Sequence, residues 1–469
     1  MFTSHSTKST GKIPRNASKF SFLSVSEFSA ILGTAFPLAI GYVGERLIGV
    51  TDSIMLGRLG PEALSASGLA LSVYNLFVLA GAGMLFSIMI LASHARGSNR
   101  FRTVPLLIRQ GLWVCGILTV MSAIPLWYVT PILTLTGQDP GIARMAGDYM
   151  HVYLWSLFPV FSTFLFSQAF AAMDRARTVA VIVWLEVALN AILDYVLISG
   201  KFGFPALGME GAGLATVIAY GVGHLAFFVL LTFHRFFRNT AKYRHAWRPR
   251  WHVLNRFFHL GAPRSLETLL RNGLYSVFSL LAGWIGIQAL VIYTIVSETA
   301  LVIKFLTGSA ANAGAMRAGR AYAGKDPEAI RHALGSAMLV LLLFLAPMVI
   351  VFLVFPEWVV MAFLGIGSPE TKALVPLATP ILAWGAFFML AEGVRLILTQ
   401  VLSSFADVMV PALIGIAVSW GLAFPLGALL AFAAGFGVLG LWVGLTVGMV
   451  VICIAYAARF RRQVRALSA

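Results

Sequence analysis

Charge is scarce in this chain. Among 469 residues there are 34 Lys and Arg and 18 Asp and Glu, so 11% are charged, where an ordinary soluble domain carries about 25%. A surface so poor in charge excludes a soluble enzyme. The 59% hydrophobic content and mean hydropathy of +0.87 exclude disorder, collagen and a long coiled coil as well. Cysteine is nearly absent: Cys115 and Cys453 lie far apart in apolar stretches, so no disulfide framework is implied. The nine histidines adopt no metal-ligand spacing, and no metal or cofactor is expected. The chain lacks a G-x-x-x-x-G-K-[ST] motif, which excludes an ATP motor of that kind. No cluster of catalytic residues appears, and no enzyme is expected.

What the chain has in abundance is long apolar runs. A membrane-spanning helix needs about 20 such residues. Twelve candidate spans are read at 27–53, 63–93, 104–133, 145–170, 177–199, 208–233, 257–284, 287–316, 332–356, 373–403, 409–433 and 436–458. Runs this long and continuous indicate helices, because barrel strands are about 10 residues with alternating polarity. Residues 1–26 read as a basic, flexible cytoplasmic segment. The apolar run after them is too long for a signal-peptide core and is kept as the first span.

Lys and Arg placement sets the orientation. Alternate connections and the two termini hold 24 basic residues; the opposite loops hold Arg58, Arg144, Lys201 and Lys372. Twelve spans with both termini cytoplasmic satisfy this bias. The densest cluster lies in 234–256, where aromatics interleave with Arg (RFFRNTAKYRHAWRPRW). A linker held by anionic lipid explains it better than nucleic acid, and no nucleic-acid partner is expected.

The linker divides the chain into bundles at 27–233 and 257–458, with a basic tail at 459–469. The bundles look related. With a shift of 226, Pro37 meets Pro263, Gly57 meets Gly283, Gly60 meets Gly286, and Ala63-Leu64 meets Ala289-Leu290. The pair Gly208/Gly211 resembles Gly437/Gly440. Parallel repeats of this kind mark transporters that alternate access between two bundles. The expected fold is an all-α polytopic membrane protein with two six-helix bundles related by a pseudo-two-fold axis.

Ionisable groups inside spans are costly and point to a cavity or a partner. The first span holds Glu45, Arg46 and Asp52; the fifth, Glu186 and Asp194; the seventh, Glu267 and Arg271; the eighth, Glu298 and Lys304; the tenth, Glu392 and Arg395. Glu45 and Asp52 are two turns apart and share a face, as do Asn190 and Asp194 one turn apart. Two such helices can enclose one carboxylate-rich pocket that exchanges a proton or holds a desolvated Na⁺. Glu267/Arg271 and Glu392/Arg395 have the spacing of internal neutralising pairs. The repeat also places Glu45 and Arg271 at equivalent positions, which suggests a latch between the bundles. Tyr195 and Trp384 are candidates for stacking on a ligand. Pro37, Pro263, Pro347, Pro380 and Pro425 suit hinged helices.

These residues resemble a known family. TDSIMLGRLGPEAL after the first span, NAILDYVLISGKFGFPALGMEGAGLAT across the fifth and sixth, LGAP opening the seventh, and AEGVRLI with LAFPLGALLAF in the tenth and eleventh resemble the multidrug and toxic compound extrusion (MATE) transporters, NorM-like branch. The resemblance covers nearly the whole chain. It implies a V-shaped pair of bundles exporting organic cations in exchange for Na⁺ or H⁺. It maps Asp52 onto the family's first-helix aspartate, Asn190 and Asp194 onto its fifth-helix polar pair, and Glu392 onto a tenth-helix acid. One departure stands out: Arg271 occupies the position of the family's seventh-helix glutamate, and Glu267 lies one turn earlier.

The resulting expectation is a monomeric antiporter of the bacterial inner membrane. Asp52, Asn190, Asp194, Glu267 and Glu392 are its coupling-ion residues. Glu45, Arg271, Tyr195, Trp384 and Glu298 line its substrate cavity. Its partners are a small organic cation or metabolite and membrane lipid. Two rivals remain. One is a flippase for a lipid-linked precursor, which Arg46, Arg264, Arg271, Lys304 and Arg395 bring closer than usual; the other is a non-transporting receptor or a membrane-embedded enzyme.

Overall fold

The computed structural model describes residues 24–100, 103–233, 248–365 and 369–468. The basic N-terminal residues Lys8, Lys12, Arg15 and Lys19, and the linker residues up to Ala246-Trp247, lie outside that description. Twelve long helices are present among the described residues. They are α1 (Val25–Gly57), α2 (Pro61–Gly97), α3 (Val104–Trp127), α4 (Pro140–Ala172), α5 (Ala176–Ser199) and α6 (Gly208–Phe233) in the first half. The second half holds α7 (Trp251–Ile285), α8 (Ile287–Ala323), α9 (Pro327–Val354), α10 (Pro369–Ser404), α11 (Met409–Ala433) and α12 (Gly437–Ser468). Short helices Val129–Leu135 and Pro356–Leu364 follow α3 and α9.

Eleven of the twelve are long and apolar enough by composition to cross a membrane. The exception is α7. It carries Arg264, Glu267 and Arg271, all buried; Glu267 is bonded to Arg395 of its own half, and Arg264 lies over the Phe86 ring of the first half. Large apolar side chains cover the outside: Val181, Ile192, Leu280 and Trp284 are all more than half exposed, as a lipid-facing surface requires.

The ends are fixed locally. The Asp139 carboxylate accepts from the backbone N–H groups of Gly141 and Ile142, with Pro140 opening α4. Asp326 does the same for α9, ahead of Pro327. Such caps contribute about 0.5–2 kcal/mol each. Pro425 sits between two stretches of π-helix, Ser419–Ala423 and Leu429–Ala433.

The internal repeat extends to backbone geometry. Gly60 and Gly286 open α2 and α8 with φ of 134° and 149°, a region that only glycine adopts readily. A Cβ at Gly57 would meet the Leu64 side chain at 3.8 Å, and one at Gly283 would meet Leu290 at 3.9 Å. Gly208 and Gly437 each have φ of 56° and approach Leu59 and Ile285, which are related by the same shift.

Two hydrophobic cores form. One is built mainly from α1–α6 and the other from α7–α12. They exchange material at the side where the Arg-rich connections gather. Leu254, Phe257 and Leu260 of α7 enter the first core, and Ile31 and Ala35 of α1 enter the second. The named contacts between halves cluster there too. Ser265 donates to the Ala80 carbonyl (2.8 Å), and the His94 Nε2 lies 2.5 Å from the Ser404 carbonyl. Arg320 reaches both Asp174 (2.5 Å) and the Ala172 carbonyl (2.6 Å), while Arg96 also pairs with Asp174 and Arg317 with Glu27. Deepest is a chain from Gln400 to Asn312 (2.8 Å) and from Asn312 to the Tyr42 hydroxyl (2.6 Å).

Glycine makes this closure tight. A Cβ at Gly83 would lie 2.7 Å from the Ser265 α-carbon, and one at Gly97 would lie 2.3 Å from the Arg320 carbonyl oxygen. Gly83→Val is therefore expected to wedge the halves apart on the basic side. Spin labels at Arg100 and Lys325, in a chain freed of Cys115 and Cys453, should report a longer mean distance than in the parent. An unchanged distance would show that the helices repack without opening.

Candidate ion-coupling site

In the first half, α1 and α5 pack through small residues. A Cβ at Gly41 would lie 3.9 Å from the Ala180 α-carbon, and one at Gly44 would lie 3.1 Å from the Val183 side chain. That approach carries Asp52 of α1 to the side of Asp194 of α5, where the two carboxyls are electrostatic neighbours. Asn190, one turn before Asp194, joins them. Thr216 of α6 completes the group. Its hydroxyl is 3.1 Å from Asp52 Oδ2 and 3.2 Å from the Ala212 carbonyl, and it accepts from Asn190 Nδ2 at 3.4 Å.

All four side chains are at most 1% exposed. Asp52 Oδ1, Asn190 Oδ1 and both Asp194 oxygens have no hydrogen-bond partner among the described residues. Two buried carboxyls without a cationic partner cannot both remain bare anions in a low-dielectric interior. The group is chemically complete only when it holds a proton or a small cation. A tyrosine cluster borders it. Tyr149 lies near both aspartates with its hydroxyl unpartnered, and its ring is 5.2 Å from Tyr153. Tyr74 packs edge-on against Tyr153 and shares a 2.7 Å hydrogen bond with Ser156.

The second half is built in the opposite sense. Glu267 accepts from Arg264 (2.8 Å), Arg271 (3.1 Å) and Arg395 (3.4 Å). Arg395 also grips Glu392 with two hydrogen bonds of 2.6 and 2.8 Å. Three guanidinium groups thus saturate two carboxylates, and Lys304 adds a further cation in the neighbourhood. Glu267 and Glu392 are brought together, with Arg395 between them. Next to them lies a cavity of about 190 Å³, lined among others by Tyr275, Glu298, Lys304, Phe388, Glu392 and Trp442. The Lys304 ammonium sits 5.9 Å from the centre of the Tyr275 ring.

The residues expected to share a substrate cavity separate. Glu298 lines the second-half cavity, whereas Arg271 is committed to Glu267. Glu45 stays in the first half beside Glu186, so the expected latch between Glu45 and Arg271 does not form: Arg271 finds its carboxylate one turn away on its own helix. Tyr195 is 46% exposed and Trp384 37%. Trp384 packs beside Phe387, itself 58% exposed, with ring centres 5.9 Å apart, placing it on the outer surface. Sequence reasoning missed Thr216 as a member of the site. Its signal was a polar residue within the apolar stretch Leu214–Ala219 of α6. The reach of Arg395 to Glu267, across 128 residues, had no local signal.

Two bundles related by a repeat, with a buried polar site between the helices of one, define a membrane transporter. The MatE family profile matches residues 37–196 and 263–429, once in each half, and the chain belongs to this family. Curated relatives match most of its length. It is 31% identical over 442 residues to a probable multidrug resistance protein NorM of Bradyrhizobium diazoefficiens, with 94% of each chain covered. It is 29% identical over 445 residues to one from Brucella suis, again with 94% of each covered. It is similarly 29% identical to the multidrug resistance protein NorM of Burkholderia vietnamiensis, covering 93% of this chain and 94% of that one. The fold matches solved structures of MATE transporters. A MATE in its bent conformation superposes with a TM-score of 0.84 at 19% identity, covering 94% of this chain and 96% of that one. A MOP-superfamily transporter from Pyrococcus furiosus, described as having a binding pocket of reversed polarity, superposes with a TM-score of 0.82, also at 19% identity, covering 94% and 97%.

Proposed function

We propose that the chain is a secondary multidrug antiporter that exports organic cations or related metabolites, coupled to proton entry at the Asp52–Asn190–Asp194–Thr216 group. The observation that carries this reading is the pair of buried aspartates with three unpartnered carboxyl oxygens. Protonation there would remove the charge cost and let α1 change its packing on α5. Discharge on the opposite side would reset it. The NorM names of the relatives support multidrug export. The Arg-rich side is read as cytoplasmic, with both termini on it, in a bacterial inner membrane. The protein is taken to work as a monomer in lipid, with no cofactor. Glu267 and Glu392, enclosed by guanidinium groups, are assigned to holding the second bundle together in place of binding the coupling ion.

The test is ethidium transport by the purified chain in liposomes under separate proton and Na⁺ gradients. A proton gradient alone should drive accumulation, and a Na⁺ gradient alone should not. The reverse result would move the coupling to Na⁺.

A second reading is favoured by the cationic second half. Arg264, Arg271, Arg395 and Lys304 outnumber the two carboxylates they surround. A substrate bearing phosphate or carboxylate, as a lipid-linked precursor does, would suit that half.

A further inference from the structure

A second buried acid in the first half takes no part in the group around Asp52. Glu186 of α5 lies two turns before Asp194, on the same face and toward the basic side. It is 0% exposed, and neither of its carboxyl oxygens has a hydrogen-bond partner among the described residues. A slot in α6 receives it: a Cβ at Gly223 would lie 1.5 Å from Glu186 Oε1 and 2.4 Å from its Cδ. The buried Thr163 hydroxyl of α4 lies alongside as the nearest donor to the carboxyl. From α1, half-buried Glu45 faces the same spot, and Tyr220 of α6 stands near both acids. His224 of α6 is engaged elsewhere. Its Nδ1 is 2.6 Å from Ser162 Oγ, and its ring lies against Phe158 and Phe166. No Lys or Arg forms an ion pair with either glutamate among the described residues.

We propose that Glu45 and Glu186 form a second proton-carrying station, stacked on the Asp52–Asp194 pair and closer to the closed side of the molecule. The vertical spacing follows from the helices. Glu45 to Asp52 is seven residues and Glu186 to Asp194 eight, about 10–12 Å of rise, with Asn190 midway on α5. Both stations are therefore served by the same α1–α5 contact. The lower one adjoins the closure between halves, because Tyr42, one turn before Glu45, accepts the hydrogen bond from Asn312. A proton bound at Glu186 neutralises a carboxyl that has no ion-pair partner among the described residues, and its departure leaves an anion beside Glu45. Each change bears on the helix that meets the opposite half. This station rests on the antiport reading for its role in transport, but not for its chemistry.

Infrared difference spectroscopy of the purified full chain, between acid and alkaline pH, separates the two. The parent should show protonated-carboxyl bands that vanish at alkaline pH. Glu186→Gln should remove one, Glu45→Gln should shift it, and both variants should leave the Asp52 and Asp194 bands in place. In liposomes the same variants should make the pH dependence of ethidium transport less steep by one proton. Glu45→Gln, at a half-buried site, covers the case in which Glu186→Gln fails to fold. A titrating Glu186 band in a chain with no proton-driven transport would uphold the station and sink the antiport reading. Spectra of Glu186→Gln and Glu45→Gln identical to the parent would overturn the station, as would a Glu186 band that moves with added Na⁺ at fixed pH.

Discussion

Asp52→Asn is expected to abolish proton-driven ethidium transport while leaving a folded protein. Asparagine keeps the shape of the side chain and its reach to Thr216, but it cannot exchange a proton. Asp194→Asn should behave alike, because each aspartate is the other's nearest acidic neighbour. Thr216→Val provides a graded control. It removes the hydroxyl 3.1 Å from Asp52 Oδ2 and leaves both acids. A hydrogen bond to a charged group contributes about 1.5–3 kcal/mol. The variant should therefore need roughly a tenfold or greater change in proton concentration to reach half-maximal transport. The measurement is the initial rate of transport in liposomes across a series of pH values. Parent-like rates in both Asn variants would end the assignment of this pocket as the coupling site.

Arg395→Ala should destabilise the second half severely. Arg395 is 1% exposed and bonded to Glu392 and Glu267 on two helices. Breaking a buried ion pair from one side costs about 3–5 kcal/mol, because the remaining charge is stranded. The thermal midpoint in detergent should fall well below that of the parent. The companion variant Arg395→Leu with Glu392→Leu removes both charges. It leaves Glu267 with Arg264 and Arg271 and should recover most of the loss, since replacing a buried pair by apolar side chains is often close to neutral. If the double variant is as unstable as the single one, the pair stabilises through its specific geometry and not merely through charge balance.

Much of the architecture was legible because it is written locally. The spans are continuous apolar runs, the repeat is carried by glycines at fixed spacing, and Gly60 and Gly286 open α2 and α8 with the same rare backbone conformation. Asp52, Asn190 and Asp194 were legible for the same reason: helical spacing put them on matching faces of two helices. Arg395 shows the limit. Its spacing to Glu392 was readable, but its bond to Glu267 depends on how α10 crosses α7. Periodicity says which residues share a face, not which face meets which. Tyr195 and Trp384 mark the same limit from the other side. An aromatic residue in a span has the same signature whether it looks inward or toward lipid, and these two are partly exposed.

The charge carried by α7 bears on how the molecule is made. At the centre of a spanning helix, Arg and Asp each cost about 2.5–3.5 kcal/mol on insertion. Arg264, Glu267 and Arg271 on one nascent segment make it a poor candidate to leave the translocon alone. Its internal pairs soften that cost, but Arg395, the partner that joins it to the rest of the half, is synthesised much later. Biogenesis of this half thus calls for α7 to wait, sheltered by its hairpin partner α8 across the Gly286 turn, until α10 arrives.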